Sequence, residues 1–423
     1  MRLASERAVG ADGLYRRAQA QCEQTGGEPT TSRVSFRNPG GLDATQRLRA
    51  VEAAVSSQEL INALDDASPE VVRVAIRRLV ELDRVRAAKA LRLRVFDVDL
   101  ALVADFAKAL QRIGDDQILV IAIEALEDGR STRRLAAIRA IGALRDERAV
   151  QALRAALDDD VAGVRAGALG ALAQLAGGAG IPSGADCARL VSDPVPHVRV
   201  AAVRAVARLV AHPGPMLAPA VHDEDRVVRL AVAQYAASLP QGAARVLLED
   251  PEARVREAAV RGAGKRELGA LAVLLIDDPA RDVRRAAARA LGDMRDERAV
   301  ELLLPSIEDP DSLVRAAVLH GLEDLLGREG VVRRLCDELA GKRAERRRAS
   351  LYALARLNAR EASAAVSRTV SDPDPEVRLA LVHTAEALFD EPQPLVSYLF
   401  DDLDQAVHDA AEMWLLRVAR TEP

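Results

Sequence analysis

The sequence predicts an all-α fold in which short helix pairs stack into a solenoid, and three observations carry this prediction. Helix-favouring Ala, Leu, Val and Arg dominate the composition, whereas aromatic residues make up only 2% of the chain. A phrase consisting of an acidic turn, a Val-Arg pair and a run of small residues returns throughout the chain. The hexapeptide RDERAV occurs twice, at residues 145–150 and 295–300, 150 residues apart. Self-similarity at a fixed period is the signature of repeat architectures.

Length, charge and cysteine content narrow the class of protein. At 423 residues the chain is longer than one ordinary hydrophobic core requires. The formal net charge of −5 gives no support to a nucleic-acid binder, which is usually basic. Cys22, Cys187 and Cys336 form no CxxC motif and indicate reduced thiols in a cytoplasmic protein. Neither a secretory signal nor an apolar run long enough to span a membrane is apparent.

The repeat is anchored by one arginine, usually the Arg of the Val-Arg pair, which we call the key arginine. The interval between key positions is about 30 residues, so about twelve modules cover residues 43–423. A degenerate module has Ala104 at this position, and the last module has His408. The two RDERAV copies lie five modules apart, where each module enters its first helix. The key arginines are Arg73, Arg134, Arg165, Arg199, Arg229, Arg256, Arg284, Arg315, Arg347 and Arg378.

Each module is predicted to contain two helices joined by an acidic turn. The first half, as in DERAVELLLPSIED, has apolar residues at helical spacing, and the second half, as in SLVRAAVLHGLEDL, is another amphipathic helix. The Asp-Pro pair between them suits the start of the second helix, because Asp accepts hydrogen bonds from free N–H groups and Pro is tolerated in the first turn. Since neither helix buries its apolar face alone, neighbouring modules must stack.

An aspartate precedes the key arginine by six residues in eight modules. This spacing places the aspartate in the turn between the helices, within reach of an arginine of its own or a neighbouring module. Because catalytic carboxylates have no reason to recur at every step, the pattern predicts a structural ladder of ion pairs. The predicted ladder residues are Asp128, Arg134, Asp159, Arg165, Asp193, Arg199, Asp223, Arg229, Asp250, Arg256, Asp278, Arg284, Asp309, Arg315, Asp372 and Arg378.

The unit D-P-x-x-x-V-R-x-A-A-x-x-A-L resembles the short HEAT repeat, also called the phycobilisome-lyase HEAT-like repeat, over residues 43–423. The resemblance implies a right-handed α-solenoid of about twelve helix pairs, with first helices on the convex side and second helices on the concave side. Proteins of this type include scaffolds, chaperone-like adaptors, bilin lyases, deoxyhypusine hydroxylase and DNA glycosylases. The resemblance therefore leaves the chemistry open.

Three regions depart from the regular repeat. Residues 1–42 are polar and turn-rich, which predicts a partly disordered or loosely packed arm, with docking of a partner as an alternative role. Gly and Pro within residues 177–242 shorten the first helices and predict a flexible bend. Residues 390–423 contain Tyr398, Phe400 and the single Trp414 and are expected to cap the last open face, with an aromatic contact site as the alternative.

Candidate metal ligands are few. Deoxyhypusine hydroxylase holds iron with His-Glu pairs, but none of the six histidines here is followed directly by Glu, so that role does not transfer. Pairs at helical spacing, such as His320 with Glu323 and His408 with Glu412, supply too few ligands for a closed site. No metal and no cofactor are expected.

A nucleophilic site has little support. Cys187 lies ten residues from His197, which is a weak cue for a Cys–His pair. The Gly-rich run at 177–185 follows a predicted helix and lacks the motifs of a phosphate-binding loop. The expectation is a protein that is not an enzyme. The alternatives are an enzyme or enzyme accessory of the bilin-lyase or deoxyhypusine hydroxylase sort, and a HEAT-like nucleic-acid binder.

One column of residues carries the binding hypothesis. The fifth residue after each key position is expected on the polar side of the second helix, where stacked modules would align it into a stripe on the concave face. Arg suits bidentate contacts with carboxylate or phosphate, and His and Tyr are common in interfaces. The alternative is a solvated face without a binding role. This fifth-position column has the predicted site residues Arg78, Arg139, Arg204, Arg261, Arg289, His320, Tyr352 and His383, and Ala109, Gly170, Gln234 and Met413 in the other modules.

The sequence therefore predicts a cytoplasmic, monomeric scaffold that binds an acidic or extended segment of another protein or peptide. The five arginines of the column would donate ion pairs, while His320, Tyr352 and His383 would contact the partner nearer the C-terminus. Nucleic acid is not an expected partner.

Overall fold

The computed structural model describes residues 43–175, 184–262 and 268–421, which contain α-helices and 3-10 helices but no strand. The predicted arm at 1–42 and residues 177–183 of the predicted bend lie outside these ranges. The chain divides into two compact units, Met1–Asp146 and Glu147–Pro423. Among the described helices, none combines the length and the apolar character needed to cross a bilayer.

The described part of the first unit is built from alternating first and second helices. The second helices α1, α3, α5 and α7 pack against each other in that order. Leu79, Phe106 and Ile141, one from each of the last three of them, are fully buried. The helices are α1 Ala44–Ala53, α2 Ser57–Ala63, α3 Pro69–Leu82, α4 Arg84–Arg92, α5 Val103–Ile113, α6 Gln117–Glu124 and α7 Ser131–Leu144, with a 3-10 segment at Ala125–Glu127.

The described part of the second unit continues the same alternation. Its first helices are α8 Val150–Ala155, α10 Gly184–Ala188, α12 Gly214–Leu217, α14 Gln241–Leu248, α16 Leu268–Asp277, α18 Arg298–Leu303, α21 Ser363–Val366 and α23 Gln393–Leu399. Its second helices are α9 Ala162–Gln174, α11 Pro196–Leu209, α13 Arg226–Ala233, α15 Ala253–Gly262, α17 Arg281–Asp293, α19 Ser312–Leu339, α20 Ala344–Arg356, α22 Pro375–Leu388 and α24 Gln405–Thr421.

The first helices are short, and most of them continue into a 3-10 turn that ends directly before the aspartate of the inter-helix turn. Each second helix packs against the next one along the chain, from α9 to α24, so the second helices form one layer of this unit. The 3-10 segments are Glu147–Ala149, Ala156–Asp158, Arg189–Ser192, Ala218–His222, Ala236–Ser238, Leu304–Glu308, Arg360–Ala362 and Ser367–Ser371.

The long run α19 contains two helices rather than one. Gly327 within it has φ 67° and ψ 165°, which lies outside the helical region. Glycine adopts positive φ without the steric cost that a Cβ brings. The part of α19 before Gly327 is therefore a second helix, and the part after it is the first helix of the next module.

The repeated hexapeptide marks a left-handed turn at the end of a second helix. Arg145 follows α7 with φ 54°, Arg295 follows α17 with φ 48°, and Asn358 takes the same place after α20 with φ 48°. The N–H of Arg145 donates to the carbonyl oxygen of Ile141 at 3.0 Å, which satisfies a carbonyl at the helix end. The same residues recur because the same reversal of the chain recurs.

Small side chains allow the second helices to approach closely. Ala137 in α7, Ala202 in α11 and Ala287 in α17 are fully buried at equivalent positions, three residues after the key arginine. A Cβ added to Gly292 in α17 would lie only 2.5 Å from the Cα of Gly321 in α19. The scarcity of aromatic residues follows from this packing, because large rings would separate the helices.

The Asp-Pro pair that lies six residues before the key arginine does not start the second helix, contrary to the prediction, whereas Asp374-Pro375 does start α22. α17 begins at Arg281, two residues after Pro279, so the proline lies in the turn. Asp278 accepts a hydrogen bond from the N–H of Ala280 at 2.9 Å, still before the helix. Its carboxylate is held there because Arg256 of the preceding module donates to it.

Candidate binding face and the arginine ladder

Seven of the eight key arginines of the second unit, all except Arg315, contact the aspartate of the following module. Nε and Nη2 of Arg199 each donate to one carboxylate oxygen of Asp223 at 2.7 Å. Nη1 donates to the carbonyl oxygens of Asp193 at 3.0 Å and Pro194 at 3.3 Å, in the turn before its own helix. One guanidinium thus contacts two successive turns, one through a bidentate ion pair and the other through backbone carbonyls. The same arrangement, with Nε–Oδ2 distances of 2.6–2.8 Å, occurs in Arg165–Asp193, Arg199–Asp223, Arg229–Asp250, Arg256–Asp278, Arg284–Asp309, Arg347–Asp372 and Arg378–Asp402.

Hydrogen bonding holds Asp402, the last aspartate of the ladder, in the charged form. Asp402 accepts from Arg378 and from the N–H of Asp404 at 2.9 Å. The hydrogen bonds from Arg378 outweigh burial and lower the pKa of Asp402 below its ordinary value. The same contacts raise the pKa of the Arg378 guanidinium. With both groups engaged, the pair is suited to a structural role rather than to proton transfer.

Two ladder pairs were missed by the sequence analysis. In the first unit, Nε of Arg47 donates to Asp66 at 2.8 Å, so α1 is the second helix of an additional module. The six-residue spacing did not identify Asp66, because this aspartate precedes the next key arginine by seven residues. Asp402, the partner of Arg378, does precede a key position by six residues, but that position holds His408 instead of Arg.

The predicted ladder residues of the first unit, Asp128 and Arg134, have contacts within their own module. Arg130 and Arg133 both donate to the carboxylate of Asp128, at 3.3 and 3.0 Å. The backbone N–H of Arg130, followed by the side chain of Arg133, lowers the pKa of Asp128 to about 2. Arg134 donates from Nη1 to the carbonyl oxygen of Asp128 at 3.0 Å. At the start of the second unit, Asp159 accepts from the N–H of Val161 at 2.8 Å.

Every residue of the fifth-position column in the second unit is exposed. The column is carried by the nine second helices α9 to α24. Within the described residues, no carboxylate lies within 4 Å of the guanidinium of Arg204 or Arg289, while Arg261 pairs with Glu257 on its own helix. The column reads Gly170, Arg204, Gln234, Arg261, Arg289, His320, Tyr352, His383 and Met413.

The first-unit members of the column have structural contacts. Arg78 is partly buried, and its Nη2 donates to the carbonyl oxygen of Ala54 at 3.1 Å. Ala109 is buried. Arg139 is exposed, and its Nη1 donates to the carbonyl oxygen of Leu100 at 3.1 Å. These two arginines therefore satisfy backbone carbonyls, which makes them weaker candidates for contact with a partner.

The family model described as HEAT repeats matches residues 99–173 and 268–355. These two segments are HEAT repeats. No curated protein matches the sequence. The phycobilisome-lyase subtype of the repeat stays a prediction.

Several solved structures resemble the chain at low identity. The chain is similar to Escherichia coli YibA with 19% identity and a TM-score of 0.43, over 68% of this chain and 98% of that one. It is similar to importin beta with 15% identity and a TM-score of 0.43, over 97% and 62% of the two chains. Kap121p bound to Ste12p has 11% identity and a TM-score of 0.45, over 91% of this chain and 48% of that one.

Two adjoining cavities lie in the HEAT repeats at 268–355, beside the column residue Tyr352. They have volumes of about 190 and 430 Å³ and share Ile307, Arg315, Ala349 and Tyr352 in their walls. The hydroxyl of Tyr352 lies 3.3 Å from Nδ1 of His383. Partial burial raises the pKa of Tyr352 above its ordinary value of 10.0.

The histidine and carboxylate pairs agree only in part with those expected from helical spacing. Nε2 of His320 lies 3.7 Å from Asp324 rather than beside Glu323. Near the C-terminus, ligand atoms of His408, Asp409 and Glu412 lie within 4.8 Å of one another. The sequence analysis paired His408 with Glu412 and did not include Asp409.

The Cys–His hypothesis loses its chemical basis in the structure. Cys187 is fully buried, and this burial raises the pKa of its thiol to about 11. A catalytic cysteine needs an accessible thiolate near neutral pH. Cys187 instead packs as a small apolar side chain.

Proposed function

We propose that the chain is a non-catalytic scaffold that binds an acidic, extended segment of another protein along the fifth-position column of its second unit. The observation that carries the proposal is the exposure of this column on nine successive second helices. Arg204, Arg261 and Arg289 would donate to carboxylates of the bound segment. His320, Tyr352 and His383 would contact the segment farther along the chain.

The spacing of the helices sets the spacing of the partner's side chains. Packed helices lie about 8–10 Å apart, and an extended segment in the polyproline II conformation rises about 3.1 Å per residue with three residues per turn. A bound segment that crosses the layer would therefore advance about three residues per module. Acidic side chains at every third position would meet successive column residues.

Binding of twelve-residue peptides tests this proposal. One fluorescein-labelled peptide carries Asp at every third position, a second carries the same Asp residues consecutively, and a third replaces each Asp by Asn. We expect the evenly spaced acidic peptide to give the highest affinity by fluorescence anisotropy. Binding should weaken as salt rises, because solvent-exposed ion pairs are screened.

A pair of charge-matched triple variants locates the binding face. The test variant combines Arg204→Glu, Arg261→Glu and Arg289→Glu, and we expect it to reduce affinity at least tenfold. The control changes three exposed arginines that lie on first helices or on the 3-10 turns that follow them. If both variants lose the same affinity, bulk charge rather than the column binds the peptide. The control changes are Arg245→Glu, Arg298→Glu and Arg368→Glu.

A further inference from the structure

The arginine ladder is interrupted at Arg315. Its Nη1 donates to the carbonyl oxygens of Asp309 at 2.7 Å and Pro310 at 3.0 Å, as Nη1 does in the regular modules. The guanidinium is thus held in the ladder position. In the next module, however, Gly341 stands where the partner aspartate is expected. Among the described residues, no carboxylate lies within 4 Å of the Arg315 guanidinium, so its Nε and Nη2 edge has no ladder partner.

The turn around Gly341 keeps the backbone arrangement of the other turns. Nη1 of Arg347 donates to the carbonyl oxygens of Gly341 and Lys342, both at 3.0 Å. These contacts match those of Arg199 with Asp193 and Pro194. The carboxylate is therefore missing although the backbone that would carry it is in place.

The two cavities described above, which share Arg315, form the Arg315 pocket. The smaller one, of about 190 Å³, has apolar walls that include Ile307, Leu319 and Ala353, and Arg356 also lines it. Arg356 is exposed and has no carboxylate within 4 Å among the described residues. No acidic residue lines this smaller cavity. Its volume suits one side chain rather than a drug-sized molecule.

The larger cavity contains acidic residues, most of which are already paired. Glu308 accepts from Arg343, and Glu376 accepts from Arg348 at 3.1 Å. Asp309 is held by Arg284. Glu345 at the rim is exposed and disfavours a doubly charged ligand such as phosphate.

We propose that the Arg315 pocket binds one aspartate or glutamate side chain of another protein, whose carboxylate takes the place of the missing ladder aspartate. Arg315 forms the bidentate pair, Arg356 adds a second positive charge, and the apolar walls contact the aliphatic stem of the side chain. Lys342 in the turn replaces the proline or acidic residue of most other modules, which adds to the positive charge. The proposal rests on the proposed function, since the acidic side chain belongs to the bound segment.

The decisive variant returns the aspartate to the chain itself. In Gly341→Asp the new carboxylate reaches Arg315, so it competes with the peptide, and affinity for the evenly spaced acidic peptide should fall at least tenfold. Gly341→Asn has the same shape without the charge and should retain most of the affinity. Both side chains meet the carbonyl oxygen of Glu338, 2.9 Å from an added Cβ, so steric strain affects the two variants equally. Arg315→Gln should also lose at least tenfold.

A stability measurement shows whether the new aspartate completes the ladder. The urea midpoint of Gly341→Asp should exceed that of Gly341→Asn, and a lower midpoint would contradict the geometry. If Gly341→Asp and Arg315→Gln keep full affinity while the column variant loses it, the Arg315 pocket is wrong and the scaffold proposal stands. If no acidic peptide binds the unaltered protein, both proposals fail. Tighter binding of a phosphoserine peptide would overturn the carboxylate assignment.

Discussion

Removal of Asp372 tests whether the ladder stabilises the stack of modules. This aspartate accepts from Nε and Nη2 of Arg347 at 2.7 Å each and from the N–H of Asp374 at 2.9 Å. The side chains of Asp372 and Arg347 are only 6% and 10% exposed. Asp372→Ala therefore leaves a buried guanidinium without its counterion.

The expected cost follows from the burial of the pair. Removing one partner of a buried ion pair costs about 3–5 kcal/mol. Nη1 of Arg347 keeps its two backbone acceptors, so we place the loss of unfolding free energy near the lower limit, about 3 kcal/mol. At about 1.4 kcal/mol per factor of ten, this loss increases opening of the local structure about 150-fold.

Native-state hydrogen exchange is the suitable assay, because it measures the opening of each helix separately. In Asp372→Ala, amides of α20 and α22 should exchange about 150-fold faster. Amides of α9 should be unchanged, since repeat stability is a sum of nearest-neighbour contributions.

The same two helices provide a matched control. Glu376→Ala removes the partner of Arg348, whose exposed side chain lies 3.1 Å away. Exposed ion pairs contribute about 0.2–1 kcal/mol, so exchange should accelerate less than about sixfold. Equal acceleration in the Asp372 and Glu376 variants would refute the idea that burial makes the ladder pairs stabilising.

Three further predictions concern packing, pH and thiol reactivity. Gly292→Ala should lower the free energy of unfolding by about 1–3 kcal/mol, because its Cβ overlaps the backbone of α19 at Gly321; an unchanged urea midpoint would contradict this close approach. The folded-state pKa of Asp402 is lowered, and that of Asp128 is about 2. The stabilisation that these two carboxylates contribute is therefore complete above the ordinary pKa of 3.8 and is lost as pH falls toward 2. Urea midpoints measured from about pH 5 to about pH 2 should decrease in that interval. Cys187, with its buried thiol and pKa of about 11, should remain unmodified by a maleimide at pH 7 until urea unfolds the chain, and peptide mass spectrometry that finds it labelled in the folded protein would disprove its burial.

Much of the fold was predictable from the period of the sequence. The positions of the second helices follow from the Val-Arg phrase, because the residues after it alternate between buried and exposed with helical spacing. Ala202 and Ala287 are buried at the position that the repeat assigns to small residues. The first helices were less clear, since segments such as α12 are only four residues long and continue as 3-10 turns.

The ladder and the column differ in how far sequence spacing determines them. The spacing identified Asp193 and Arg199 as ladder residues. It could not show which carboxylate the Arg199 guanidinium contacts, and the structure shows that this is Asp223 of the next module. The column was placed on the exposed side of the second helices by helical geometry alone. Spacing could not distinguish Arg204, which is exposed without a carboxylate partner among the described residues, from Arg78, which donates to a backbone carbonyl.

The sequence alone determined that the chain repeats a two-helix module, because a periodic pattern of small, apolar and charged residues requires similar neighbours to cover its apolar faces. Only the tertiary structure decided which carboxylate each arginine contacts and where such a contact is missing. The reason is that pairing between modules depends on the distance between atoms far apart in the chain. At Arg315 the sequence shows only a glycine 26 residues later, whereas the structure shows that this glycine leaves a guanidinium facing a cavity.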